Sequence, residues 1–332
     1  MRVLVTGGAG YIGSHTVPHL NAAGHVVVVV DDLSAGHRAA LASDVPLEAV
    51  ALDDAESLGS VVEAVRPHAV VHFAGSIEAG ESMTDPARFY RNNITNALHL
   101  VDALVAAAPA TGPVPIVFSS SAAVYGEPET VPIAETAPTR PTNVYGETKL
   151  VFERILAAYD RAYGLRSISL RYFNACGAAA DASNGDAHPN QTHLITLALL
   201  AALGRRPDIK VFGTDYPTPD GTCIRDYIHV DDLATAHVVA LDALAGGAPT
   251  GAYNVGLGKG FSVLEVLDAV GRVTGVDVAR VLEDRRAGDP AALVADSSRI
   301  RAELGWRPDY TDLDRIVATA HRWHTRNPHG FQ

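Results

Sequence analysis

Val3 to His15 reads VLVTGGAGYIGSH: an apolar, strand-like start, a glycine triad at Gly8-x-Gly10-x-x-Gly13, and then a segment able to begin a helix. In a chain with 29 glycines such a triad is weak on its own. Its position gives it weight. Glycines at a first strand-to-helix turn let the backbone approach a pyrophosphate held at the helix N-terminus, where unpaired N–H groups favour an anion. The stretch therefore predicts a βαβ unit that takes a dinucleotide.

Working outward, the valine run Val26 to Val30 reads as the second strand and ends at Asp31, eighteen residues after Gly13. That is close to the spacing of the acid that binds the adenosine ribose hydroxyls, and a carboxylate there repels a 2'-phosphate, so the cofactor expected is NAD rather than NADP. The blander alternative is that Asp31 and Asp32 only start a loop. Arg2 to Thr6, Ala69 to Phe73 and Pro115 to Ser119 also read as short strands apolar on both faces, as in a parallel sheet covered by helices, and Arg166 to Tyr172 (RSISLRY) reads as another strand. Ile94 to Ala108 has helical spacing. From Cys176 to Asn190 the chain is rich in Gly, Ala, Asp and Asn and reads as a loop leaving the sheet. Ile224 to Val230 is expected to return a strand to the first lobe, with Asp231 or Asp232 capping the next helix.

The fold class predicted is α/β: a Rossmann-type doubly wound parallel sheet with a smaller α/β C-terminal substrate lobe. The division expected is 1–174, with a returning segment at about 222–255, for the cofactor domain, and 175–221 with 256–332 for the substrate lobe. A chain of 332 residues with 47% hydrophobic and 19% charged residues has material for both. A net charge of −12 argues against sequence-independent nucleic-acid binding. Cys176 and Cys223 have neither zinc-site nor disulfide-framework spacing, and the fourteen histidines show no HExxH pattern, so no metal is expected. Met1 leads straight into a strand-like run and no apolar run approaches a membrane span, which predicts a cytoplasmic protein.

Asn143 to Lys149, NVYGETK, sets Tyr145 one helical turn ahead of Lys149 in a chain with only three lysines. The strand ending VFSSS places Ser119 to Ser121 at the carboxyl end of the sheet, on the cofactor side. Tyrosine has a pKa near 10, so service as a base at neutral pH requires a fall of roughly 3 units, about 4 kcal/mol. An ammonium at about 6 Å in an effective dielectric near 20 supplies roughly 2.8 kcal/mol, about 2 units. A cationic nicotinamide ring would provide the remainder and couple proton transfer to redox state.

Together these segments resemble the extended short-chain dehydrogenase/reductase family, and within it the nucleotide-sugar 4-epimerases. The loop Thr6 to Gly13, the set Ser121, Tyr145 and Lys149, and RYFNACG from Arg171 carry the resemblance, with HFAGSIEAGES (72–82), FSSSAAVYG (118–126), FGTDYPTPDGTCIRDYIHVDDLA (212–234) and RRAGDPAALVAD (285–296). It implies tightly held NAD and a UDP-sugar substrate, UDP-glucose or UDP-galactose. Tyr145 takes the 4-hydroxyl proton, Ser121 bonds O4, Lys149 holds the nicotinamide ribose, and a 4-keto sugar turns about its diphosphate before reduction on the other face. By the same resemblance Gly7, Gly8, Gly10, Tyr11, Ile12, Gly13, Asp31, Asp32, Leu33, Asp53, Phe73, Ala74, Gly75, Asn92, Ser119 and Phe173 touch the cofactor. Asn174, His193, Leu194, Phe212, Arg225, Tyr227, Arg286, Asp289 and Leu293 face the nucleotide sugar, with His193 open between touching substrate and packing. A homodimer through the helices around Ile94 to Ala108 and Val144 to Tyr163 is also implied.

Three departures stand out. Ile77 replaces a lysine of some members, His193 an asparagine, and Leu293 a tyrosine of members restricted to unacetylated sugars; Leu293 therefore predicts room for a 2-acetamido group. A 4,6-dehydratase is disfavoured, since Ala122 and Ala123 stand where that chemistry needs an Asp-Glu pair to shuttle protons. Two further rivals are a UDP-glucuronate 4-epimerase or decarboxylase and a non-catalytic NAD-sensing module. The first is tested by substrate, the second by whether NAD binding is accompanied by turnover.

Overall fold

The computed structural model describes residues 1–109, 112–188, 190–286 and 289–331. Pro189 of the predicted 176–190 loop, and Ala287 and Gly288 of the 285–296 segment, lie outside the described residues. The strands are β1 (Arg2–Thr6), β2 (Val26–Val30), β3 (Leu47–Glu48), β4 (Ala69–His72), β5 (Ile116–Ser121), β6 (Ser167–Tyr172), β7 (Asn174–Cys176), β8 (Ile209–Phe212), β9 (Ile224–His229), β10 (Gly251–Val255), β11 (Gly260–Ser262), β12 (Arg280–Glu283) and β13 (Ala292–Leu293).

Seven of them form one parallel sheet in the order β10-β6-β5-β4-β1-β2-β3. Strands β1 to β6 have the doubly wound order 3-2-1-4-5-6, which reverses between β1 and β4 and leaves a crevice at their carboxyl ends. Alternation explains the two helical layers. Val3 and Val5 of β1 pack with Val17 and Leu20 of the Tyr11–Ala22 helix and with Leu233, Ala240 and Leu244 of the Val230–Ala245 helix. Leu4, between them, faces the opposite core with Leu58, Leu100, Phe152 and Leu156. Both faces are therefore dry, and the strands need no polar side.

The strand expected to return to the first lobe goes elsewhere. β9 pairs with β7, β11 and β13 in a separate small sheet, and it is β10 that joins the edge of the large one. β9 (IRDYIH) carries Arg225, Asp226 and His229, and its buried Asp226 accepts from Leu257 N, Gly258 N and Ala295 N, whereas β10 (GAYNV) has no charge to satisfy at the edge of the large sheet. The helix after β9 is capped by His229, whose side chain accepts from Asp231 N at 3.1 Å, rather than by Asp231 or Asp232. Those carboxylates are used across the fold: Asp231 meets His15 Nδ1 at 3.0 Å, and Asp232 accepts from Asp309 N and Tyr310 N.

A second core gathers Ile195, Leu199, Val211, Tyr227, Val266, Val270, Ile316 and Val317 around β8, β9 and the helices at Leu194–Ala202, Val263–Thr274 and Leu313–Arg326. Ile300 and Trp306 turn back into the first core. Among the described residues no helix is long and apolar enough to cross a membrane.

Candidate active site

At the end of β1 the chain turns through Gly7 at φ +72°, where a Cβ would lie 2.5 Å from Ala74 N. The Tyr11–Ala22 helix follows with Gly10 as N-cap and no side-chain cap, so its first N–H groups are left for a ligand. Asp31, at the end of β2, braces this loop: its carboxylate accepts from Ala9 N and Leu33 N, each at 2.9 Å. Burial holds its pKa above the usual carboxylate value. Asp32 instead closes a local turn onto Ser34, Leu33 sits at φ +60°, and Asp53 is exposed just before Asp54, which caps the Ala55–Val65 helix. After β4, Phe73 N and Ala74 N donate to Thr6 O at 2.8 and 3.1 Å, which holds the Phe73–Gly75 turn against the glycine loop. An uncapped helix start, an anchored carboxylate and backbone bare of side chains fit a dinucleotide.

The Val144–Tyr163 helix begins at Asn143, whose side chain accepts from Gly146 N at 2.8 Å. This fixes Tyr145 in the first turn and aims Lys149 inward. Lys149 is 3% exposed and donates to Ser119 O at 2.9 Å, with its Nζ 5.8 Å from the centre of the Tyr145 ring. Ser121 ends β5 and accepts from Ala123 N at 3.1 Å, while Ser119 Oγ pairs with Tyr172 OH. Ser119, Ser121, Tyr145 and Lys149 thus converge at the carboxyl end of the sheet beside the glycine loop.

Lys149 lies beside the Tyr145 ring, as the shared helix face requires, but the direction of the tyrosine's pKa is opposite to that expected from the lysine. Burial raises Tyr145 above its ordinary value, the Ser121 hydroxyl pulls against this, and the Glu78 carboxylate adds to it. Burial also pushes Lys149 down to about 8. The cost of a buried phenolate therefore decides the direction. With the chain's own groups alone, Tyr145 keeps its proton.

A depressed lysine pKa has a stability consequence. The unfolded chain binds the Lys149 proton more tightly, so the folded state is penalised below pH about 8 and the penalty fades as pH rises toward the ordinary value of 10.5. Lys149→Met is expected to stabilise the fold at pH 7 by roughly 1–2 kcal/mol after loss of the Ser119 hydrogen bond, seen as a higher melting temperature, while lowering turnover. Paired thermal melts at pH 7 and pH 10 check this: the gain should shrink at the higher pH.

Three residues here escaped the sequence reading. Asn93, buried in a π turn at Arg91–Thr95, accepts from Ser76 N at 2.7 Å and donates to Thr148 Oγ1 at 3.0 Å, tying the turn after β4 to the helix of Tyr145. Its neighbour Asn92 donates to Ser76 Oγ at 2.9 Å. Glu78 lies where its charge reaches both Tyr145 and His193. Asp186 accepts from His193 Nδ1 at 2.8 Å and from His188 Nδ1 at 2.5 Å. The resemblance assigns Asn92 a cofactor contact, and Glu78 lies within HFAGSIEAGES without being singled out there.

Across the crevice a cleft is lined by Asn174, His193, Leu194, Thr196 and Tyr227. Arg225 and Tyr227 alternate along β9, so both face the same side of the small sheet. Arg225 is paired with Asp289, and Arg286 lies 3.9 Å from the centre of the Phe212 ring. Leu293 and Phe173 pack against Ala122, Val124, Tyr125 and Leu150, next to the serine turn. Asp186, His188 and His193 are the one group among the described residues with metal-like spacing. Its carboxylate already accepts five hydrogen bonds, which explains the cluster without an ion.

Residues 3–256 match the NAD dependent epimerase/dehydratase family. A UDP-glucose 4-epimerase of Azospirillum brasilense is 52% identical over 97% of this chain and 91% of its own. The crystal structure of UDP-glucose 4-epimerase from Brucella ovis in complex with NAD superposes with a TM-score of 0.93 at 46% identity, covering 97% of this chain and 98% of the other. That of Bifidobacterium longum in complex with NAD+ and UDP gives 0.92 at 36% identity over 100% of both.

Proposed function

The chain belongs to the NAD-dependent epimerase/dehydratase family, and from that premise we propose that it interconverts UDP-glucose and UDP-galactose by inverting C4. The observation that carries this is the convergence of Ser121, Tyr145 and Lys149 between the glycine loop and the cleft at Asn174 and Tyr227. When bound, NAD supplies the hydride acceptor and donor for C4.

The chain's residues do the rest. Gly7 to Gly13 and Asp31 hold the two halves of the dinucleotide, Asp31 through the adenosine ribose hydroxyls. Lys149 keeps the nicotinamide ribose in place and adds positive charge near Tyr145. Tyr145 Oη takes the proton from the 4-hydroxyl and returns it, and Ser121 Oγ orients O4. Tyr145's raised pKa makes it a proton holder until further positive charge enters the site, which ties proton transfer to the oxidised cofactor. Asn174, Leu194, Tyr227, Phe212, Arg225, Arg286 and Asp289 hold the nucleotide. Asp289 would exchange its Arg225 partner for ribose hydroxyls, freeing the guanidinium for phosphate. The 4-keto sugar then turns about its diphosphate and presents the other face. The same reading includes a cytoplasmic, two-lobed homodimer.

The direct test is to incubate the purified protein with UDP-galactose, adding no cofactor, and to follow UDP-glucose by proton NMR. No conversion, even with NAD supplied, would exclude the neutral-hexose reading and move the test to UDP-glucuronate.

Leu293 favours a second substrate. It packs beside Phe173 and Ala122 at the serine turn, where a larger ring would fill space next to the sugar. We expect UDP-N-acetylglucosamine to be epimerised as well, and Leu293→Tyr to lower that activity at least tenfold, about 1.4 kcal/mol, while sparing UDP-glucose. Equal effects on both sugars would reject a steric gate.

A further inference from the structure

Asp186 is 4% exposed, and its charged partners among the described residues are two histidines. Oδ2 accepts from His193 Nδ1 at 2.8 Å and Thr196 Oγ1 at 3.1 Å. Oδ1 accepts from His188 Nδ1 at 2.5 Å, His188 N at 3.2 Å and Gln191 Nε2 at 3.2 Å. Each histidine donates Nδ1 to one oxygen of this buried carboxylate, and a carboxylate so placed favours the protonated form of the imidazole it pairs with. Tying Nδ1 to Asp186 leaves Nε2 as the atom His193 offers to the cleft. His193 is also the N-cap of the Leu194–Ala202 helix and makes no side-chain cap bond, so the helix's first N–H groups open on the same space. Meanwhile Arg225 is taken by Asp289 and Arg286 by the face of Phe212.

We propose that Asp186 holds His193 as a cation over the start of the Leu194–Ala202 helix, making a pH-dependent clamp for the diphosphate of the substrate. Asp186 acts through His193 as a positioning residue; His193 touches the ligand. The clamp rests on the UDP-sugar reading above and adds to it how the diphosphate is held and at which pH.

The groups around His193 agree on the sign. Burial is the largest single influence and lowers its pKa, but Asp186, by hydrogen bond and charge, and Glu78, from the turn after β4, together outweigh it and raise it. Tyr11 of the first helix presents its ring at 6.5 Å and His188 its ring at 5.5 Å. Cys176 lines the same cleft and is kept neutral by burial, as is His324 of the last helix, pushed down to about 4 within the field of Asp186. His193 is therefore charged up to a pH above its ordinary value, and diphosphate affinity is lost as pH rises through that point.

The test is equilibrium binding of UDP-glucose, whose diphosphate diester does not titrate near neutrality, to the NAD-loaded Tyr145→Phe protein between pH 5.5 and 9, with uridine as the control lacking phosphate. Affinity for UDP-glucose is expected to fall about tenfold across the rise, while uridine binding stays flat. His193→Gln should bind about tenfold more weakly at low pH and show no pH dependence. Asp186→Asn should move the loss of affinity to lower pH, with its melting temperature recorded to separate this from unfolding. A pH-independent affinity for UDP-glucose, or an unchanged profile in His193→Gln, would overturn the clamp and leave the UDP-sugar reading standing. Failure of both UDP-glucose and uridine to bind at any pH would overturn both.

Discussion

Tyr145→Phe is expected to reduce the turnover of UDP-galactose by roughly 10²–10⁴-fold, the usual contribution of a positioned general acid/base. The substitution removes one oxygen from a ring already packed at the start of its helix, while Asn143, Ser82 and Thr148 keep their bonds to the backbone around it. Fold, NAD content and UDP-sugar affinity should therefore survive. The prediction is a loss in kcat with little change in Kd, read from initial rates by NMR and from calorimetry on the same preparation. If a tenth or more of wild-type kcat remains, the proton moves through another group. Tyr172, bonded to Ser119 and close enough to Tyr145 for their charges to interact, would be the next to replace.

The second large effect is at Gly13. Alanine at an ordinary helix position is favoured over glycine by about 1 kcal/mol. Here the sign reverses, because a Cβ at Gly13 would lie 2.3 Å from Gly7 O and 2.8 Å from Gly8 Cα. Both are backbone, so the loop itself must move. Overpacking costs about 1–3 kcal/mol, and each hydrogen bond to a charged group that goes out of line costs about 1.5–3 kcal/mol. Gly13→Ala should thus lower the melting temperature and weaken NAD binding by roughly 100-fold or more. Gly10→Ala is the matching control. Its Cβ would meet only Gly7 O at 3.4 Å, so the fold should hold and any loss of NAD reports on the ligand's own space. NAD retained by purified Gly13→Ala, measured by release on denaturation, would show that the close approach of loop and helix does not govern binding.

These two sites were legible for the same reason: their signals are local. Gly7 to Gly13 announces itself because a tight turn and a close helix–strand approach each demand glycine at fixed spacing along one short segment. Tyr145 and Lys149 share one helix face at a separation set by the helix period. The large sheet was legible because its main strands are buried on both faces and begin in or are dominated by apolar residues, as in RVLVT and IVFSSS, although β6 (SISLRY) carries buried serines and Arg171.

Tertiary structure alone decided the rest. Ile224–His229 has the sequence of a strand, but its place in the small sheet follows from partners at Asn174, Gly260 and Ala292. Asn93 meets Thr148 across 55 residues, and Asp31 meets the loop 22 residues before it, contacts that no spacing rule predicts. The direction of Tyr145's pKa depends on how completely the fold removes water from it, a property of the whole packing. Asp186 and His193 are only seven residues apart, yet neither marks the other until the loop folds and buries the carboxylate. Chain-local geometry is written in residue spacing; desolvation and long-range pairing exist only once the chain has closed on itself, and they set the charge on the site's acids and bases.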